Sequence, residues 1–421
     1  MPRRGQAVRR VDPRVRDTRP PCRAESRRRR DAPVQVGKTA LADRRLPRRG
    51  ERHHRDGRHA DADELADLQR LAAEVRRRRC GRPPPRRRHH PRQDRDDGIC
   101  DRTIGGNAQS IRRHAYAVAC AMVPAALGTQ TQGSVIRPAA YCGVVGFKAT
   151  HGVLHTGGIH LLSATSDHLG VIAASVADAW QVAAQISLGA AGPGVGFLAA
   201  ATDGTPAPHQ PRKLIRLFTR GWTETDAETR AAFDALIDRV KARGIDVTSR
   251  DEDPEVAELE SQFEHDLDGH LDLVAYEMRW PFEGYIARYG AKTVGPKIRE
   301  LVGRAREMTP AHYESLLATR HRLQRAAAAV LARCDGFITL SCSGPAPRGL
   351  AYTGSRTFPS YASWLGLPAF SLPLLVIGEL PVGVQLIGRA GADSTLCSSV
   401  RWMMEEACLA DIRAKADTIE A

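Results

Sequence analysis

The residues with the clearest capacity for chemistry are a serine and the glycines and threonines around it. They lie in Gly128–Ala139, GTQTQGSVIRPA, where Ser134 directly follows Gly133. A serine in a turn of this composition can expose its hydroxyl, and nearby backbone N–H groups can converge as an oxyanion hole. The pattern indicates nucleophilic catalysis, and a plain turn is the alternative. Spacing alone reveals no base after residue 116, and the chain has no G-x-S-x-G motif.

Alternating helix and strand patterns after residue 116 would position this loop, and they favour an α/β fold. One predicted helix opens with Thr225 and Glu228 in a capping-box pattern and ends at Gly244. Another begins at Thr309, with Pro310 in its first turn, and runs to about Cys334. Short apolar runs predict buried strands at Lys213–Thr219, Ile245–Thr248, Phe337–Leu340, Ala369–Leu372 and Val382–Ile387.

The first 115 residues differ from the rest of the chain in charge and aromatic content. They hold 33 Arg, one Lys and 16 acidic residues, a net charge of +18, whereas residues 116–421 carry −4. All 22 Phe, Trp and Tyr residues lie after residue 115. A segment with so few large apolar side chains buries too little surface to offset its ordering entropy. Residues 1–115 are therefore predicted to be disordered and not a packed domain.

Three explanations of residues 1–115 are open. The segment could be a basic arm that binds RNA, DNA or an acidic partner, or a solvated tail without a role. The third explanation, which we favour, is an out-of-frame translation of a GC-rich gene, because such codons then yield Arg, Pro, Ala and Gly and few aromatic residues. One helical window, 61–79, stands out within it. The predicted organisation is this segment, a domain over 116–410, and a tail over 411–421.

Composition also excludes several classes of protein. There is no run of 18 apolar residues, so no transmembrane helix is expected, and no apolar stretch follows the charged N-terminus as in a secretory signal. The nine cysteines are scattered without a CxxC pair, which argues against a disulfide framework or a zinc site. We expect a cytoplasmic protein with reduced thiols and without a metal or organic cofactor.

The segment Gly128–Thr150, GTQTQGSVIRPAAYCGVVGFKAT, resembles the central motif of the amidase signature family, in which G-T-x-x-x-G-S leads into C-G-x-x-G-x-K-x-T. The resemblance covers roughly 117–410, and it implies an α/β fold with a mixed sheet flanked by helices on both faces. It continues in further stretches of the chain, at Ser163–Gly170, Ser175–Asp178, Ala346–Leu350, Tyr352–Gly354, Trp364–Ala369 and Leu380–Gly388.

The resemblance implies an amide hydrolase with a Ser–cis-Ser–Lys triad. Its nucleophile corresponds to Ser134, which would form an acyl-enzyme that water then hydrolyses. The oxyanion donors would be backbone N–H groups around Thr131, Gln132, Gly133 and Ser134. Many members have glycine where this chain has Gln132, and a backbone donor survives that change.

The other two triad members should lie upstream, where the resemblance fails. The family's bridging serine lies in a G-G-S-S-x-G-S loop, whereas this chain has Ser110 within GGNAQSIRR. The family's lysine follows an apolar-Val pair, and the nearest candidate is Lys38 in PVQVGK. The family pattern resumes near 117–119, in the middle of a predicted helix. A domain boundary would not normally fall inside a helix of the fold, and we therefore favour the frame error. A chain made in that frame would lack both loops and several elements of the core.

We therefore predict an amidase that cleaves a carboxamide or related C–N bond of a small molecule, with Ser134, Ser110 and Lys38 as the catalytic candidates. An inactive, frame-disrupted or decayed homologue is the first alternative. A nucleic-acid-binding protein that uses the basic arm is the second, although the arm has no aromatic residue for base stacking. No membrane contact is expected, and a homodimer is left open.

Overall fold

Eight strands of the described residues form one mixed sheet in the computed structural model, which describes residues 114–189, 204–348 and 352–407. Their order across the sheet is β1-β3-β2-β7-β8-β6-β4-β5. The pair β4–β5 and the pair β4–β6 are parallel, and the other neighbours are antiparallel. The strands are β1 (Ala125–Gln130), β2 (Val145–Lys148), β3 (His168–Ala173), β4 (Lys213–Arg216), β5 (Asp246–Thr248), β6 (Gly336–Leu340), β7 (Ala369–Ile377) and β8 (Leu380–Ile387).

Helices occupy most of the remaining described chain. They are α1 (Ile136–Tyr141), α2 (Val176–Gly189), α3 (Ala227–Ala242), α4 (Pro254–Tyr289), α5 (Pro296–Arg306), α6 (Pro310–Leu331), α7 (Thr357–Leu365) and α8 (Asp393–Trp402). A helical turn over 114–119 precedes β1. Two 3₁₀ segments, Arg220–Glu224 and Ala291–Thr293, and a π-helical segment, Met403–Ala407, complete the elements. None of the described helices is long and apolar enough to cross a membrane.

The sheet lies between two layers of helices because its strands bury both faces. Successive residues of β7 belong to different hydrophobic clusters: Phe370 packs with α2, α3 and α8, and Ala369 packs with α1, α4, α6 and α7. This alternation is the two-residue period of a strand, and with both sides apolar it produces the continuous apolar runs seen in the sequence. The predicted α/β fold, with a mixed sheet flanked by helices on both faces, is confirmed.

Local signals located several elements correctly. The β-α-β unit built from β4, α3 and β5 is present, and β4 pairs with β5 in parallel. Helix α6 begins with Pro310, and the side chain of Thr309 accepts a hydrogen bond from His312 N, as a cap does. At α3 the predicted cap is wrong by one residue. The capping side chain belongs to Asp226, which accepts from Thr229 N, because the Thr225 hydroxyl is used by Gly221 O instead.

The sequence analysis did not identify the 36-residue helix α4. Its first turn is fixed by Asp253, which accepts from Glu255 N and Val256 N and is held by Arg333 through two hydrogen bonds of 2.5 and 2.9 Å. Such bidentate, charge-assisted contacts are geometrically specific. The partner lies 80 residues away in sequence, so no local pattern could reveal this helix start.

Candidate functional site

The loop that carries Ser134 joins the end of β1 to the start of α1, and Gln130 holds it in place. The Gln130 side chain is fully buried, and its Oε1 accepts from Val135 N and Ile136 N, both at 2.9 Å. These two N–H groups belong to the first turn of α1, where no backbone acceptor is available. The Gln130 Nε2 donates to Ser363 Oγ at 2.9 Å, so one amide ties the loop to α7.

Helix α7 supports the same loop from behind. A Cβ added at Gly133 would lie 2.5 Å from Cγ of Pro359, so only glycine fits this close approach. One residue further along α7, the Ser360 hydroxyl lies 3.2 Å from Gln132 O and 2.7 Å from Arg356 O. The loop therefore rests on a rigid helix face and not on solvent, which is what a preorganised site requires.

A second loop, 162–167, binds Thr131, the residue that follows Gln130, through Asp167. The Thr131 hydroxyl donates to Asp167 Oδ1 at 2.6 Å, while Asp167 Oδ2 accepts from Leu162 N at 2.5 Å and from Ser163 N at 3.2 Å. Burial raises the pKa of Asp167, and the hydrogen bonds from Thr131, Leu162 and Ser163 oppose that shift. The carboxyl group thus links the nucleophile loop to loop 162–167.

Glu277 of α4 clamps loop 162–167 from its outer side. Its carboxylate accepts from Ser163 Oγ at 2.5 Å, from Thr165 N at 3.1 Å, from Thr165 Oγ1 at 2.9 Å and from the Tyr313 hydroxyl at 2.8 Å. Each carboxylate oxygen accepts two of these hydrogen bonds, an arrangement that stabilises a partly buried carboxylate. Helices α4 and α6 are therefore connected to Thr131 through one chain of hydrogen bonds.

Ser134 itself is half-buried. Among the described residues its hydroxyl has no hydrogen-bond partner, and the same part of the structure provides no acceptor for the backbone N–H groups of Gln132, Gly133 and Ser134. Unused donors beside an unengaged hydroxyl are the parts that an acyl-transfer site needs: a nucleophile and groups that can stabilise a developing oxyanion.

A buried lysine lies on the same sheet face as Gln130. Lys148 is fully buried, and its Nζ donates to Leu367 O and, at 3.3 Å, to Ala149 O. Burial lowers the pKa of Lys148 to about 7, and the negative charge of Asp393 opposes the shift. Its neighbour His168, also buried, has a pKa well below the ordinary value because of burial and of the Lys148 charge. Both groups are held by backbone carbonyls.

Four of the predicted site residues, Thr131, Gln132, Gly133 and Ser134, are consecutive in sequence and lie in the loop between β1 and α1. The other two, Ser110 and Lys38, lie outside the described residues, so their roles stay predictions. Within 114–189, 204–348 and 352–407 no group of three or more His, Cys, Asp or Glu side chains is placed to hold a metal ion.

The sequence analysis missed the residues that support the loop: Gln130, Ser363, Asp167 and Glu277. Gln130 stands inside the quoted motif, but nothing in its type shows that it caps α1. Its partner Ser363 is 233 residues away, and Glu277 lies 112 residues from Thr165. The one available signal was the clustering of hydroxyl residues over 163–166.

Comparison with known proteins now identifies the family. The family model described as Amidase matches residues 114–397, which is more than half of the chain. This chain belongs to the amidase family, whose signature the loop at Ser134 carries.

Individual relatives agree with that assignment. Indoleacetamide hydrolase from Pseudomonas syringae pv. syringae is 27% identical over 301 residues, covering 68% of this chain and 64% of that protein. Indoleacetamide hydrolase from Pseudomonas savastanoi is likewise 27% identical over 301 residues, covering 68% and 63%. The chain thus spans a little under two thirds of the length of these relatives.

Solved structures show the same fold. A crystal structure of an amidase superposes with a TM-score of 0.59 at 24% identity, covering 70% of this chain and 65% of that one. A 6-aminohexanoate cyclic dimer hydrolase gives a TM-score of 0.56 at 20% identity, covering 70% and 66%. The mixed sheet and its two helical layers are therefore those of an amidase.

Proposed function

We propose that this protein hydrolyses the C–N bond of a small carboxamide through an acyl-enzyme on Ser134. The observation that carries the proposal is the loop itself. A half-buried serine without a hydrogen-bond partner in the described structure sits beside unused backbone donors, and the loop is held by Gln130 and α7. Family membership supplies the reaction class.

In the proposed reaction, Ser134 Oγ attacks the carbonyl carbon while a base removes the hydroxyl proton. The carbonyl oxygen becomes an oxyanion, which the backbone N–H groups around Thr131, Gln132, Gly133 and Ser134 stabilise. The tetrahedral intermediate collapses, the nitrogen leaves with a proton as ammonia or an amine, and an ester to Ser134 remains. Water then attacks this ester and releases the carboxylic acid. An oxyanion donor of this kind contributes about 10²–10³ to the rate.

Within this chain, the proposed base is Lys38 and the proposed relay is Ser110. A lysine acts as a base only when its surroundings keep it neutral near pH 7. Lys148 is buried and has a lowered pKa, but its Nζ is engaged by backbone carbonyls. We therefore assign Lys148 a structural role.

The acyl-enzyme can be tested by trapping it. The full-length protein would be incubated with a panel of carboxamides, including indole-3-acetamide, with and without hydroxylamine. Hydroxylamine competes with water for an acyl-enzyme, so the proposal predicts a hydroxamate in addition to the acid. Ser134→Ala should abolish both products, whereas Ser398→Ala, in α8, should leave them unchanged.

Two results would count against the proposal. Absence of acid and hydroxamate from every amide, with a folded protein, would favour the inactive homologue. Acid production that persists in Ser134→Ala would remove this serine from the reaction. Lys38→Met and Ser110→Ala test the two upstream assignments separately, and each should reduce the rate at least tenfold.

A further inference from the structure

Two separate supports hold the Ser134 loop, and both are bound by one arginine of α6. Arg320 is only 8% exposed; its Nε donates to Trp364 O at 2.7 Å, and its Nη2 donates to Thr165 O at 3.1 Å. Trp364 belongs to the last turn of α7, and Thr165 lies in loop 162–167. One guanidinium group therefore joins the two elements that hold the loop.

The first set of contacts leads from Arg320 through α7 to the start of the Ser134 loop. Trp364 directly follows Ser363, whose Oγ accepts from Gln130 Nε2 at 2.9 Å. Gln130 also accepts from two backbone N–H groups in the first turn of α1. The end of α7 and the start of α1 are therefore connected through this glutamine.

The second set of contacts leads through loop 162–167 to the next residue of the chain. Asp167, two residues after Thr165, accepts from Thr131 Oγ1 at 2.6 Å. Because Thr131 directly follows Gln130, the two sets of contacts meet and form a closed ring. Moving α7 relative to loop 162–167 would stretch at least one hydrogen bond of this ring, and these bonds measure 2.6–3.1 Å.

The shape of an arginine side chain suits this position. Its guanidinium group is planar and carries donors on separate nitrogens, of which Nε binds the end of α7 and Nη2 binds loop 162–167. A lysine ammonium group keeps the charge but has all its donors on one atom, so it does not span the two carbonyl oxygens in the same way. Replacing Arg320 by lysine therefore removes the bridge and retains the charge.

The charge of Arg320 matters because Glu277 lies nearby. Burial lowers the pKa of Arg320, and the negative charge of Glu277 opposes that shift. Glu277 holds the same loop 162–167 through Ser163 and Thr165. An uncharged residue at position 320 would leave this carboxylate partly buried without its compensating charge, so the lysine variant isolates the geometry.

A glutamine one turn further along α6 provides an internal comparison. Gln324 Nε2 donates to Leu365 O at 3.0 Å. Like Trp364 O, this carbonyl lies at the end of α7, where the helix itself supplies no donor. In the described part of the chain Gln324 makes no hydrogen bond to loop 162–167. It therefore supports the end of α7 without joining it to that loop.

We propose that Arg320 is a positioning residue for the reaction at Ser134, because it joins α7 to loop 162–167 and so holds Gln130 and Thr131 in one geometry. Arg320 acts through these contacts and not on the reacting atoms. Misplacing a reacting group by about 1 Å can slow a reaction roughly 10²-fold. The inference rests on the proposed function for the reaction, whereas the ring of hydrogen bonds can be tested without it.

The test compares Arg320→Lys with Gln324→Met in the full-length protein. One measurement is the rate at which a fluorophosphonate, a reagent for activated serines, labels Ser134; the other is amide hydrogen exchange over 131–137 and 162–167. Arg320→Lys should slow labelling at least tenfold and speed exchange at least tenfold in both segments together. Gln324→Met, which loses only a contact at the end of α7, should label within about threefold of the wild type and leave exchange in both segments unchanged.

Steady-state kinetics separate positioning from a general loss of stability. For any carboxamide that the wild type hydrolyses, kcat of Arg320→Lys should fall at least tenfold while KM changes by less than about twofold, because Arg320 acts on the geometry of the reacting groups and not on substrate binding. Partial unfolding would instead lower the fraction of protein that is labelled and leave the labelling rate of the folded fraction unchanged.

Equal labelling rates for Arg320→Lys and Gln324→Met, or faster exchange in only one of the two segments, would overturn the proposal. If Arg320→Lys does not fold, hydrogen exchange of the wild type in rising urea decides: the ring predicts that 131–137 and 162–167 open together, and separate openings would overturn it. A wild type that is not labelled at Ser134 contradicts the proposed function, and the exchange experiment then still decides whether Arg320 joins the two segments.

Discussion

Replacing Gln130 with methionine should destabilise the protein and misplace Ser134, although the side chain keeps its length. Gln130 accepts from Val135 N and Ile136 N and donates to Ser363 Oγ, each at 2.9 Å. Methionine fills a similar volume without these groups. The variant therefore isolates the hydrogen bonds from the packing.

The magnitude follows from the groups left without partners. A buried donor that loses its acceptor costs about 1–3 kcal/mol, and Gln130→Met leaves two such backbone N–H groups. We expect the free energy of unfolding to fall by about 2–6 kcal/mol. Gln385→Met is the matched control, since Gln385 is equally buried but makes one hydrogen bond of 3.4 Å and has an Oε1 without a partner in the described structure. It should cost less than about 1 kcal/mol.

The assay is urea denaturation of the full-length variants, followed by tryptophan fluorescence. Ser363→Ala should cost about 1 kcal/mol, and its effect should not add to that of Gln130→Met because both remove the same contact. A difference of less than about 0.5 kcal/mol between Gln130→Met and Gln385→Met, the usual error of such comparisons, would refute this role of Gln130.

Three further predictions concern the residues around the loop. Lys148 has a pKa of about 7 in the folded protein and about 10.4 in the unfolded chain. Between these two pH values the unfolded chain therefore binds one more proton than the folded protein does. Stability should therefore rise between these values by up to about 1.4 kcal/mol per pH unit, and Lys148→Met should lose that rise in pH-dependent melting. Gly133→Ala places a methyl group 2.5 Å from Pro359 Cγ and should slow fluorophosphonate labelling at least tenfold, whereas Gly303→Ala, whose Cβ meets open space in α5, should label normally. Glu277→Gln weakens the four hydrogen bonds its carboxylate accepts, and it should cost about 1–3 kcal/mol and speed hydrogen exchange over 162–167; unchanged exchange would contradict the clamp.

The sequence predicts the parts of the fold that local chemistry decides. Strands buried on both faces produce apolar runs, so β6 and β8 could be located to within two residues, whereas β7 runs five residues beyond its predicted end. Pro310 after Thr309 marks the start of α6 for the same local reason. At α3 the adjacent residues Thr225 and Asp226 are both suitable N-caps. The Thr225 hydroxyl donates to Gly221 O, which leaves Asp226 as the cap, and the sequence pattern of the helix alone does not show this contact.

The residues that hold the Ser134 loop in place are harder to predict from the sequence, because they contact residues that are distant along the chain. Gln130 shows its function only when Ser363 is placed beside it, and Asp167 only when Thr131 is. Lys148 is an exception to the rule that lysines are exposed, and no neighbour in sequence indicates its burial. The loop at Ser134 could be predicted because its glycine, threonine and serine lie within four consecutive residues, 131–134.

The most direct test of the central claim is the labelling of Ser134 by a fluorophosphonate, located by peptide mass spectrometry of the full-length protein. An activated serine reacts with such a reagent, and ordinary serines do not. We expect one modified peptide that contains Ser134, no modification in Ser134→Ala, and unchanged modification in Ser398→Ala. A folded protein that remains unmodified at Ser134, or one that reacts equally at other serines, would contradict the claim.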